Sequence, residues 1–225
     1  MDDSSRKMCD MAYARIRKSI LDFEYKPGDY VIESTLSTSL GISRTPIREA
    51  LRRLEQEGLL ENKNGRKKVA VITIEDLNQI FELKIAVEGM IMRKCAETCS
   101  EKDKVKLRKM IKKMTDFEEK AKEGFSKDLF KEWSTLNASF HALTYKIAGN
   151  PRAESIVENL NVQWHRWRVG ITAMEWRLEH NIQEHILFCE AIINGDGDAA
   201  FSLLEKHTKD LLASVVNIIS TFSLE

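Results

Sequence analysis

Arginine and histidine carry most of the chemistry this sequence can offer. Arg44, Arg48, Arg52 and Arg53 fall within ten residues, and guanidinium groups so clustered can grip phosphates or the O6 and N7 atoms of guanine. His141, His185 and His207 each share an apolar helical stripe: with Trp133 and Asn137, with Ile182, Cys189 and Ile192, and with Leu204 and Leu211. Three inward histidines suit a packed core, and equally a divalent ion held by neutral imidazoles converging at about 2.0 to 2.1 Å. Lys84 and Glu88 lie on a stripe shared with Leu77, Phe81, Ile91 and Cys95. A charge buried there without a partner is costly, so the two must pair, meet a polar cavity, or both.

The arginines need a helix with one packed face. Ile47, Ala50, Leu51 and Leu54 repeat at helical spacing, while Arg48 and Arg52 share another face four residues apart. Thr45 is expected to cap this helix and Pro46 to open it, since proline is tolerated at the first helical position. Before it, residues 7–23 read as a helix with Ala12, Ile16, Ile20 and Phe23 on one stripe, closed by the Lys26-Pro27-Gly28-Asp29 turn. A short helix over residues 33–40 follows and Gly41 stops it. After Gly58, Leu59 and Leu60 open a strand, Asn64-Gly65 supplies a hairpin turn, and Val69 and Val71 alternate in a return strand, with Arg66, Lys67 and Lys68 beside the turn. Three helices and a basic hairpin make a winged helix-turn-helix over residues 1–72, with Arg44, Arg48, Arg52 and Arg66 as candidate DNA contacts.

Charge supports that placement. The chain is neutral overall, with 35 basic and 35 acidic residues, but residues 1–74 hold 14 Lys and Arg against 11 Asp and Glu. The positive charge is therefore local, as a nucleic-acid footprint requires. From residue 73 to 225 the pattern is helical throughout, over 75–98, 101–122, 126–148, 152–175, 181–194 and 198–221, and implies an all-α antiparallel bundle. Cys9, Cys95, Cys99 and Cys189 lack zinc-finger spacing and read as reduced thiols. No apolar run reaches membrane-spanning length and the N-terminus does not read as a signal peptide, so a cytoplasmic location is expected.

Residues 27–60, PGDYVIESTLSTSLGISRTPIREALRRLEQEGLL, resemble the DNA-binding domain of the GntR family of bacterial transcription regulators. The resemblance implies that Arg44 and Arg48 contact bases or phosphates, that Thr45 binds backbone phosphate and that Gly65 brings the wing tip to the minor groove. Ser34 stands where some relatives have a basic contact residue. LNASFHALTYKIAGNP, EHILFCEAIINGD and the later His207 resemble the helical effector domain called FCD, attached to the FadR branch of that family. By resemblance, His141, His185 and His207 hold a divalent metal, zinc, nickel or manganese, and Asn137 replaces the usual aspartate ligand. An amide oxygen can coordinate but brings no charge, so affinity should fall or the preferred metal change.

The expectation is a homodimeric, ligand-responsive regulator and not an enzyme. One such module touches too few base pairs, whereas two related by a two-fold axis read a palindromic operator on double-stranded DNA. The resemblance implies a small organic acid as effector, with its carboxylate on the metal and Lys84 where relatives often have an effector-contacting arginine, and repression as the commoner outcome; Glu88, on the same inward stripe, is a further candidate for the effector site. Two rivals stand beside this: a regulator for which the ion is itself the signal, and a metal-dependent hydrolase with an accessory DNA-binding module. Arg152, Arg166 and Arg168 could reach the effector cavity but read first as lying on solvated faces, whereas His165 and His180 read as structural or surface residues.

Overall fold

The computed structural model describes the backbone of residues 3–122, 124, 126–172 and 175–222, and the side chains of these apart from 3, 4, 127, 165–172, 175–177, 218, 221 and 222. Two compact units result, Met1–Thr73 with Asn161–Arg166, and Ile74–Leu160 with Trp167–Glu225.

In the first unit the order is α1 (Asp3–Leu21), β1 (Tyr30–Val31), α2 (Glu33–Leu40), α3 (Arg44–Gln56), β2 (Leu60–Lys63) and β3 (Arg66–Val69). Ala12, Ile16 and Ile20 of α1 meet Ile47, Ala50, Leu51 and Leu54 of α3 in one core, with Leu36, Leu59, Leu60 and Val69 closing it. The expected stripes are therefore buried, except for Phe23. The helix ends two residues earlier, the Phe23 amide folds back to the Ile20 carbonyl, and the residue turns to positive φ and half exposure.

The start of α3 also differs from expectation. Ser43 is the extended residue before it, Arg44 begins it, Thr45 is already helical, and Pro46 is its third residue. Proline is harmless there because every amide of the first turn lacks an intrahelical acceptor. Thr45 therefore does not cap the helix.

Asn64 and Gly65 both take positive φ, the conformation a two-residue hairpin turn demands. The turn sets Lys63 opposite Arg66 and Leu60 opposite Val69. Val71 lies beyond the return strand and is exposed. A strand not expected from sequence, β1, pairs with the other side of β3, giving the order β1-β3-β2.

The second unit contains α4 (Ile74–Thr98), α5 (Glu101–Ala121), α6 (Lys127–Ala148), α7 (Pro151–Thr172), α8 (Glu175–Ile193) and α9 (Gly197–Phe222). Ser100 and Ser126 accept from the amides of Asp103 and Leu129 and so cap α5 and α6, while Gly149 ends α6 in the left-handed region. Residues 175–180 extend α8 beyond the expected start at 181, since nothing in them breaks a helix. Trp133, Phe117, Phe140, Phe188, Ile182, Cys189 and Leu204 form the centre of the bundle. The cysteines are free thiols, and burial pushes the Cys95 and Cys189 thiols up from their ordinary range.

α4 packs most extensively on α9. Gly89 permits the close approach, because a Cβ there would sit 2.4 Å from the Phe201 ring. Gly89→Ala should thus force the ring aside and lower stability by about 1–3 kcal/mol. Urea unfolding of the full chain measures this, and an unchanged midpoint would show that the two helices do not meet so closely.

Candidate functional site

Two polar constellations stand out, one in each unit. In the first, burial of one face of α3 turns the other outward, leaving Arg44, Thr45, Arg48 and Arg52 exposed. Arg48 Nε donates to Glu33 Oε2 on α2 at 2.7 Å, and Arg52 reaches Glu49 at 3.3 Å. Among the described residues Arg44 and Arg66 have no acidic partner. Arg66 and Gly65 are exposed at the hairpin turn, with the Arg66 guanidinium 6.0 Å from the Tyr30 ring centroid. Tyr30, Glu33, Gly65 and Arg66 share a cleft of about 460 Å³.

Arg53 belongs elsewhere. It donates to Asp10 at 2.6 Å and lies 4.1 Å from the Tyr13 ring centroid, so it staples α3 to α1. Lys67 likewise ties β3 to Glu55 of α3 at 2.6 Å.

In the second unit α6, α8 and α9 bring His141, His185 and His207 into a row. Ring centroids of His185 stand 5.6 Å from those of His141 and 5.2 Å from those of His207, with the planes nearly perpendicular. Imidazoles that share an ion at about 2.0 Å from each nitrogen have centroids about 5 Å apart. His185 Nδ1 donates to the Asn181 carbonyl at 2.7 Å, and His207 Nδ1 contacts the Glu184 carboxylate. Carbonyl and carboxylate oxygens only accept, so in each neutral ring Nε2 carries the lone pair, as in histidines oriented for metal binding. The Oδ1 of Asn137 is buried with no hydrogen-bond partner among the described residues. A hard amide oxygen and three imidazoles therefore make a chemically coherent donor set.

The histidines are nonetheless not the tightest cluster. Among the described His, Cys, Asp and Glu side chains, those of His180, Glu184 and Asp210 have donor atoms all within 4.8 Å of one another, and the three central histidines are more spread. Glu184 serves both groups, with one oxygen 3.2 Å from His180 Nε2 and the other on His207. Neither Glu33 nor Glu184 was indicated by sequence, because each acts on a residue of another helix, or across a loop, where no periodicity points.

Lys84 and Glu88 pair at 3.0 Å and are both almost fully buried, so the pair lies inside the bundle. Tyr145 of α6 donates to Glu88 at 2.7 Å. Burial by itself would raise the Glu88 carboxyl. Lys84, then His141 and the Tyr145 hydroxyl, outweigh it and hold the group down at about 2. Arg152 is exposed at the start of α7. The side chains of His165, Arg166 and Arg168 lie outside the described residues.

Residues 9–67 match the family model for bacterial regulatory proteins of the gntR family, and residues 79–210 match that of the FCD domain. The chain belongs to the GntR family. An uncharacterized HTH-type transcriptional regulator of Bacillus subtilis, YdhC, is 29% identical over 84% of this chain and 82% of its own length. The Nta operon transcriptional regulator of Aminobacter aminovorans is 26% identical, covering 85% and 89%, and the Escherichia coli repressor RspR 24% identical, covering 92% and 88%. Among solved structures, McbR/YncC of E. coli superposes with a TM-score of 0.70 at 20% identity, covering 94% of this chain and 98% of that one.

This GntR-family chain is thus a DNA-binding transcription regulator with an FCD domain, and not an enzyme. No helix among the described residues is long and apolar enough to cross a membrane.

The buried pair gives a stability prediction. Lys84→Met should destabilise the regulator by about 3–5 kcal/mol, because it strands the carboxylate, and adding Glu88→Leu should recover most of that loss. Because the Glu88 carboxyl is depressed from 4.5 to about 2, its contribution is present above about pH 4.5 and fades as pH falls toward 2. Urea unfolding across that range checks both, and a Lys84→Met chain as stable as the parent would contradict the buried pairing.

Proposed function

We propose that this regulator is a homodimeric repressor whose grip on a palindromic operator is controlled by a small organic acid at a metal-containing pocket. Residues 1–72 read DNA, with Arg44 and Arg48 on bases or phosphates, Thr45 and Arg52 on the backbone, and Gly65 and Arg66 at the minor groove. Residues 73–225 sense the effector and pair the protomers. Its place of work is where the chromosome lies, the bacterial cytoplasm.

The observation that carries the effector reading is the row of His141, His185 and His207, two of them tied through Nδ1, beside the buried Asn137 oxygen. When bound there, a divalent ion such as zinc, nickel or manganese supplies coordination positions that a carboxylate can fill. Asn181 and Glu184 hold two of the rings in the tautomer that binding needs. Lys84 supplies a point charge toward the effector, and Glu88 with Tyr145 keeps that ammonium in place. An acid that binds one arrangement of the bundle better than another shifts the population and with it the spacing of the two α3 helices.

A second reading, in which the ion itself is the signal, gains from the same pair. Lys84 is already neutralised by Glu88, so an anionic effector would have to compete with a carboxylate one helical turn away.

A thermal-shift screen of metal-loaded full-length protein against small carboxylates separates the two. A true effector present at about 100 times its Kd should raise stability by about 2.7 kcal/mol, and should change operator affinity in a gel shift. His185→Ala should lose bound metal by elemental analysis and lose the shift with it. If chelation changes operator affinity and no acid does, the ion is the signal. Metal content unchanged in His185→Ala would overturn the site.

A further inference from the structure

Arg48 is exposed, yet it is not loose. Its Nε donates to Glu33 Oε2 at 2.7 Å from a different helix, fifteen residues earlier in the chain. Its side chain remains 65% exposed, whereas Glu33 is half as exposed and sits in the first turn of α2. An anionic side chain on a surface that must meet a polyanion opposes binding. Its presence calls for a compensating role.

Geometry supplies one. A guanidinium has five N–H donors in a fixed plane. With Nε occupied, the donors left to act as a fork are those of the two terminal nitrogens, the pair that fits the O6 and N7 of one guanine. Holding the plane from behind also removes much of the rotamer entropy that a long arginine would lose on docking. The neighbouring carboxylate lowers the net charge of the fork as well, so a phosphate, which recognises charge, is favoured less than a guanine edge, which recognises donor geometry. Arg52 differs, since it reaches Glu49 of its own helix through a terminal nitrogen at 3.3 Å, which spends part of its fork. Among the described residues Arg44 has no acidic partner and suits a phosphate.

We infer that Glu33 is a positioning residue for operator recognition, fixing Arg48 so that it reads guanine in the major groove rather than binding phosphate. This rests on the reading of α3 as the recognition helix. Glu33 itself touches no base in this role and acts wholly through Arg48.

The test uses the full-length protein and a palindromic duplex that the parent chain selects from a random-sequence pool, with the unselected pool as the non-specific competitor. Glu33→Gln keeps the shape and removes the charge. It should weaken binding to the selected duplex by about tenfold, while affinity for the unselected pool stays level or rises because a negative charge has gone. Replacing the contacted guanine by 7-deazaguanine should cost the parent about tenfold and Glu33→Gln little. Arg48→Ala should lose the same discrimination, and Glu33→Gln combined with Arg48→Ala should bind like Arg48→Ala alone, as two changes acting through one contact must. Glu33→Asp, which retains the charge, should restore part of the preference, and unfolding midpoints should match throughout. A merely structural role would lower both affinities together and lower the midpoint. Selected-duplex affinity within twofold of the parent in Glu33→Gln, or additive losses in the double variant, overturns the positioning role alone. A parent chain that selects no sequence overturns the recognition reading, and this role with it.

Discussion

A lysine and a glutamate one helical turn apart, sealed inside the second unit, set the terms for everything around them. Neither Lys84 nor Glu88 can be buried singly, and their attraction offsets desolvation only while the remaining lone pairs are satisfied. Tyr145 meets part of that demand from α6 and so makes a buried polar link between α4 and α6. The same logic recurs between α8 and α9, where Glu184 holds His207, and within α8, where the Asn181 carbonyl holds His185. The aromatic rings of Trp133, Phe140 and Phe188 surround His185 edge-on and keep the region apolar. A polar row is thereby held in a medium where each unmet hydrogen bond is expensive, which gives it a narrow choice of arrangements.

The first unit works by the opposite rule. Its core cluster is apolar, and several of its charged groups pair with one another toward the surface: Arg53 with Asp10, Lys67 with Glu55, Arg48 with Glu33. Such exposed pairs contribute little to stability individually. Their effect is to aim side chains, and they divide the arginines of α3 into one that braces the domain and others that face outward.

Much of this was legible in the sequence because it depends on periodicity. Ile47, Ala50, Leu51 and Leu54 are buried as their spacing requires, and the Asn64-Gly65 turn forms the hairpin its backbone preferences demand. Lys84 and Glu88 were found by their conflict with an apolar stripe, and the conflict is real. The three histidines gather as their inward positions implied. What escaped has no period. The two-residue strand Tyr30–Val31 is too short to alternate. The start of α3 was displaced because proline is tolerated across the first turn, so Pro46 marks a helix start only to within a turn. Glu33 and Glu184 act on side chains of other elements, and the cluster of His180, Glu184 and Asp210 draws on two helices.

The notch at Gly89 bears on how the bundle can move. With no side chain there, the Phe201 ring seats against the α4 backbone and acts as a register pin. Sliding α4 along α9 would carry the notch off the ring and bring against it the side chains that share this face three and four residues away, among them Arg93, which already lies 4.8 Å from the ring centroid. The two longest helices of the bundle are therefore held in register at this contact. Motion that originates among the histidines has to be taken up in the other helices, in the loops, or by α4 and α9 together.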